Sequence, residues 1–99
     1  MVSAMKVTPK DNVAVAIEPI AGGQTVFYTL PDGSIHEITA AEDIQIYHKF
    51  STCNINKGEA VLKYGEVIGV ATEDIGAGRH VHTHNVISEQ EIKEGVHTK

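Results

Sequence analysis

Ile20-Ala21-Gly22-Gly23-Gln24-Thr25-Val26, Ile55-Asn56-Lys57-Gly58-Glu59-Ala60-Val61 and Ile75-Gly76-Ala77-Gly78-Arg79-His80-Val81 share one pattern, Ile-x-x-Gly-x-x-Val. The first and third copies extend upstream at a fixed offset of 55 residues, where Val15-Ala16-Ile17-Glu18-Pro19 aligns with Val70-Ala71-Thr72-Glu73-Asp74. Each copy sets an apolar segment before an isoleucine, then a turn whose glycine supplies positive φ, then a valine-containing extended segment. The unit reads as strand, turn, strand. Its recurrence points to an ancient half-repeat inside one small domain.

Between the copies, Gln24 to Leu30 is rich in β-formers, Pro31-Asp32-Gly33 supplies a turn, and Ser34 to Ile38 resumes with Ile35 and Ile38, which predicts a hairpin. Thr39-Ala40-Ala41-Glu42 has the form of a capping box and predicts one helical turn, after which Ile44, Ile46 and Phe50 predict extended chain. Ser88-Glu89-Gln90-Glu91 is a second capping box, opening a short helix or tail over 88–99. The expected fold class is therefore mainly β, with short bent strands and one or two short helical turns. Functional segments are expected on strand ends and turns.

A chain of 99 residues with 41% apolar and 21% charged side chains has the length and balance of one globular domain. The longest apolar run, Val13 to Ile17, is far short of the ~18 residues of a membrane-spanning helix. Met1 to Lys10 lacks the apolar centre of a secretory signal, so the expected address is cytoplasmic and no membrane partner is expected. Net charge is −5 and the eight basic residues are scattered, which argues against a nucleic-acid partner. Cys53 is the single cysteine and reads as a plain thiol.

Arg79-His80-Val81-His82-Thr83-His84-Asn85 carries half of the six histidines. On a strand, His80, His82 and His84 would share one face, spaced by ~6.6 Å, with Val81 and Thr83 on the other. Three uses fit that spacing: neutral imidazoles ligating a metal, protonated imidazoles binding a carboxylate, or an acid and base near neutral pH. Polar rings on a solvated strand face fit it too. His48 and Lys49 in Tyr47-His48-Lys49-Phe50, and Lys63 and Tyr64 in Leu62-Lys63-Tyr64-Gly65, are basic or polar groups set among apolar neighbours, suited to a carboxylate-bearing substrate. Taken alone, such lysines also read as surface residues whose stems pack on the domain. His36 and His97 are assigned no role. No nucleotide-binding fingerprint and no nucleophile elbow is present.

Asp11-Asn12-Val13-Ala14-Val15-Ala16, His48-Lys49, Lys63-Tyr64-Gly65, Ile68-Gly69-x-Ala71-Thr72 and Val81-His82-Thr83-His84-Asn85, in that order, resemble the SAF domain of the altronate and galactarate dehydratase family. The resemblance runs from about Lys10 to Val86. It divides the chain into a tail over 1–9, an SAF domain over 10–87 and a tail or short helix over 88–99, and it implies a β-clip fold of bent hairpins. One departure stands out. The family usually reads Ile-Pro-x-Gly-His-Lys, whereas Ile44-Gln45-Ile46-Tyr47-His48-Lys49 lacks both proline and glycine.

The resemblance implies the small subunit or N-terminal domain of a sugar-acid hydro-lyase that forms 2-keto-3-deoxy acids, inactive without a large catalytic part. It implies Fe2+ or Mn2+ in the assembled enzyme, held mainly by the large part. Carried over by position, His82 and His84 are implied as catalytic residues, either of which could ligate metal. Asn85, His48, Lys49, Lys63 and Tyr64 are implied as substrate-binding. His80 falls at a variable position and is placed outside the contacts with substrate. Two other readings follow the same fold: the small subunit of a sulfolactate sulfo-lyase, and a non-catalytic carbohydrate or small-molecule binding module. Exposed strand edges suit an interface with the large part or with a second copy.

Overall fold

The fold is organised by four isoleucine turns, one more than the sequence pattern predicts. In the computed structural model, which describes residues 2–88, Ile20 bridges Ile44 and Ile55 bridges Ile75. Each isoleucine is followed by a four-residue turn closed by a backbone hydrogen bond, from Gln24 to Ala21, His48 to Gln45, Glu59 to Asn56 and Arg79 to Gly76. The third residue of each turn has positive φ: Gly23 at 87°, Tyr47 at 68°, Gly58 at 89° and Gly78 at 85°. Positive φ confined to that position is the signature of a type II turn. The segment that departs from the family pattern is thus the fourth copy, built with tyrosine in the glycine position.

Turns of a bridged pair are laced to each other by the residue that precedes the partner isoleucine. Asp43 accepts from the Gly22 amide, Asp74 from Lys57 and Asn54 from Ala77. Pro19 holds the fourth such position and has no side-chain acceptor to offer. The four isoleucine side chains are buried and seed two clusters, Ile20 and Ile44 with Phe50 and Val26, and Ile55 and Ile75 with Val61 and Val81. Burying each contributes roughly 1.5–3 kcal/mol. They carry a large share of a small core.

Among the described residues, nine short strands follow one another: β1 Ala4–Met5, β2 Val13–Ala16, β3 Thr25–Thr29, β4 Ile35–Thr39, β5 Lys49–Ser51, β6 Ala60–Lys63, β7 Glu66–Ala71, β8 His80–Val81 and β9 Val86–Ser88. One sheet has the order β4-β3-β1-β2-β5-β8 and the other β6-β7-β9. The predicted hairpin is β3–β4, paired from Thr25 opposite Thr39 to Thr29 opposite Ile35. The stretch 1–9, read as a tail, contributes β1, whose Ala4 is fully buried between β2 and β3.

The mainly β expectation holds, and the helical turn at Thr39–Glu42 does not. Thr39 ends β4, and the amides of Ala40 and Ala41 donate across the fold to Gln24 and Gly78 carbonyls. The Glu42 carboxylate accepts from the His80 amide instead of capping its own segment. With its donors and its acid already committed, the segment has no helical bonds to make. Among the described residues there is no helix. The second capping box extends over residues 89–91, outside the described residues.

Candidate functional site

Asp11 and Asn12 fix one wall of the site. The Asp11 carboxylate, 3% exposed, accepts from the Thr8 amide and hydroxyl and from the amides of Tyr64 and Gly65. Burial works against its charge, but the donors from Gly65, Thr8 and Tyr64 outweigh it and hold the carboxyl below its ordinary value of 3.8. Asn12 reaches β6 with both ends of its amide, donating to the Ala60 carbonyl and accepting from the Leu62 amide. Together they pin the β6–β7 turn, and with it Lys63 and Tyr64. The Lys63 ammonium lies 4.7 Å from the centre of the Tyr64 ring, a cation–π contact.

The opposite wall is β5 and β8, paired antiparallel with Lys49 opposite Val81 and Phe50 opposite His80. Ser51 secures this pair: its hydroxyl donates to the Gly76 carbonyl at 2.6 Å and accepts from the Arg79 amide at 3.2 Å. Just beyond the paired residues the His48 and His82 rings stack. Lys49 faces the other way, into a groove of about 350 Å³ lined with Lys63, Ile68, Val81, His82, Thr83, Val86 and Ser88. Burial, and then the nearby Lys63 charge, push the Lys49 amine below its ordinary value of 10.5. Two cations flank one apolar floor. A carboxylate in the groove would relieve the repulsion.

The predicted histidine strand is shorter than its sequence. β8 ends at Val81, and His82 to Asn85 form a tight turn in which the His82 carbonyl accepts from the amides of Asn85 and Val86. Asn85 is the reason. Its side chain, 3% exposed, accepts from the His82 amide at 3.0 Å and donates to the His80 carbonyl at 2.8 Å, spending both ends of the amide inside the loop. The turn still gathers the rings. His80 lies 5.5 Å from His82 and 5.4 Å from His84, and His48 joins at 4.9 Å from His80 and 5.1 Å from His82, measured between ring centroids. Thr83, expected on the opposite face, borders the groove beside His82.

His80, which the sequence reading set aside, is the hub of this cluster. Its Nε2 lies 2.8 Å from His48 Nδ1. Burial first, then the neighbouring His48, His84 and His82, push its pKa down, against a weaker opposing pull from Glu42. These surroundings disfavour the charged ring. His36 stacks on Tyr28 in the β3–β4 hairpin, away from the cluster, and Cys53 is an exposed free thiol.

The ordered set of pinned basic pair, Lys-Tyr-Gly turn and His-Thr-His-Asn loop matches a family model described as the altronate/galactarate dehydratase SAF domain, over residues 2–89. The chain belongs to this family. This SAF domain is 42% identical over 81 residues to an altronate dehydratase of Escherichia coli, covering 82% of the chain but 15% of that protein. It is 34% identical over 86 residues to an altronate dehydratase of Bacillus subtilis, covering 86% of the chain and 16% of that protein. To the (2R)-sulfolactate sulfo-lyase subunit alpha of Paracoccus pantotrophus it is 44% identical over 54 residues, covering 54% of the chain and 81% of that subunit. The SAF domain thus spans a small part of the dehydratases it matches and most of a separate lyase subunit. Among the described residues no helix is long and apolar enough to cross a membrane.

Proposed function

We propose that this SAF domain is the small part of a cytoplasmic sugar-acid hydro-lyase of the altronate or galactarate type, working with a large dehydratase subunit or domain to form a 2-keto-3-deoxy acid. The observation that carries the proposal is the meeting of two walls at His82, where a groove flanked by Lys49 and Lys63 adjoins the imidazole cluster. The lysines bind the substrate carboxylate, with Tyr64 carrying the Lys63 ammonium over its ring. Dehydration removes the proton on the carbon next to the carboxylate and hydroxide from the carbon beyond, and the resulting enol becomes the 2-keto acid. His84, exposed beside the cluster, or His82 where it holds no metal, donates the proton that lets hydroxide leave as water. Asn85 holds the loop that presents them.

A divalent metal held there by His48, His80 and His82 would supply Lewis-acid stabilisation of negative charge developing beside the carboxylate. The donor set on this chain is nitrogen alone, from His48, His80 and His82, which suits Fe2+ better than Mn2+, a cation that favours carboxylates and water. Manganese would be held by the large part.

A second reading rests on size. The chain covers 81% of one sulfo-lyase subunit alpha and 78% of another, from Chromohalobacter salexigens, so elimination of sulfite from an acid bearing both carboxylate and sulfonate is the competing reaction. Two lysines on one groove suit two anionic groups.

Co-purification with the large dehydratase part, followed by an anaerobic assay on altronate, galactarate and sulfolactate with Fe2+ or Mn2+, tests both. Turnover of a sugar acid only when both parts are present is expected. Turnover of sulfolactate alone selects the second reading. No complex and no turnover would reduce the domain to a binding module.

A further inference from the structure

We infer that His48, His80 and His82 form a binding site for a late first-row divalent cation that this chain can fill by itself. One nitrogen from each ring lies within 4.8 Å of the others. Imidazole nitrogens bound to one such cation at ~2.0–2.1 Å stand about 2.8–3.4 Å apart, from the octahedral to the tetrahedral angle. The His48 Nδ1 to His80 Nε2 separation, 2.8 Å, is already close to that edge. His82 has to close the remainder, and its exposed side chain at the start of a turn is free to rotate.

The frame around the rings is set before any ion arrives. His80 lies in β8, paired with β5, and His48, one residue before β5, is held by its own backbone, its amide donating to the Gln45 carbonyl and its carbonyl accepting from the Ala16 amide. Asn85 holds the backbones of His80 and His82 at once. Ligands held by the fold lose little freedom on binding, which favours affinity.

No carboxylate belongs to the group, and Glu42 is engaged by the His80 and Arg79 backbone and side chain. An all-imidazole set favours Fe2+, Co2+, Ni2+ and Zn2+ over Mg2+, Ca2+ and Mn2+. Three protein ligands leave coordination positions open, the hallmark of a reactive rather than a purely structural centre. His82 also lines the lysine groove, so the cation would border the groove in which an anion binds.

The inference rests on the same three nitrogens that the proposed function offers to a metal, but it is tested in the isolated 99-residue chain with neither partner nor substrate, so its failure is distinguishable from a failure of turnover. The chain, freed of any histidine tag, is titrated with Co2+ and followed by its visible ligand-field bands. One equivalent is expected. His80→Gln and His82→Gln, each checked by circular dichroism, should weaken binding by more than the ~10–100-fold that loss of a supporting group costs. His36→Gln and His97→Gln should leave it unchanged.

Zn2+ titration of the unaltered chain, read on imidazole NMR signals, gives the ligands without any substitution. His48, His80 and His82 should move together and saturate at one equivalent. Absence of a one-equivalent site, or binding that survives both His80→Gln and His82→Gln, would overturn the inference.

Discussion

Tyr47 stands at φ 68° in the same turn position that Gly78 fills at φ 85°. A left-handed conformation costs an L-residue roughly 1–2 kcal/mol, and glycine gives back about 0.5–1 kcal/mol through the freer unfolded chain. Tyr47 is 73% exposed, so its removal forfeits little packing. Tyr47→Gly should therefore stabilise the domain by up to about 1 kcal/mol. Gly78→Ala should do the opposite and more strongly, since an added Cβ would run into the Thr39 carbonyl. Urea midpoints at constant slope measure both, and a lower midpoint for Tyr47→Gly would refute the account of this turn.

Asp11→Asn should cost about 2 kcal/mol, because one amide end cannot accept what two carboxylate oxygens do and its own NH2 would face donors. The pH dependence has a definite sign. The folded carboxyl lies below 3.8, so its contribution is complete above that value and is lost as pH falls through the folded pKa. The gap in unfolding free energy between the two proteins should be constant near neutrality and narrow in acid. A gap that stays constant down to acid unfolding would count against the carboxylate's role.

Lys49 has the opposite linkage. Its folded pKa is lowered while the unfolded chain keeps about 10.5, so its charge is a cost to folding below the folded value, relieved as pH rises toward 10.5. Lys49→Met should stabilise the isolated domain at pH 7 by a few tenths of a kcal/mol, the scale of a screened surface charge interaction. That advantage should fade in alkali. In the assembled enzyme the same variant should raise KM by about 10–100-fold, the loss of a charge-assisted hydrogen bond. An unchanged KM would remove Lys49 from the substrate site.

His82→Ala and His84→Ala should leave the urea midpoint close to that of the parent, because both side chains are exposed. At least one should lower kcat of the assembled enzyme by roughly 100-fold or more, the usual contribution of a general acid. Asn85→Ala should behave differently, destabilising by about 2 kcal/mol, since it strands the His80 carbonyl and the His82 amide. If all three variants merely unfold, the loop is structural.

Much of this fold is written in local chemistry. Asp32-Gly33 and the flanking β-formers announce the β3–β4 hairpin, and three glycines announce three isoleucine turns. The fourth turn was hidden because tertiary bridging of Ile20 to Ile44 forces tyrosine into a conformation no local propensity predicts. The false helix at Thr39–Glu42 has the same origin, with its cap residue drawn off to β8. At the site, alternation along a strand put His80, His82 and His84 on one face, and the family resemblance then set His80 aside as a variable position; its role as hub was not legible because its partner His48 lies 32 residues away and only the tertiary fold brings their rings together.

Ala4 and Met5 bear on the order in which the chain assembles. They pair antiparallel with β2 on one side and parallel with β3 on the other, so two residues form the seam of the six-stranded sheet. The β3–β4 and β6–β7 hairpins are local and can close within microseconds. The seam cannot close until both of its neighbours exist, and a parallel contact must first meet the entropy of the loop it encloses. β1 is thus satisfied only after the two strands that follow it, and the backbone edges of β2 and β3 that it pairs stay open to foreign strands until it is.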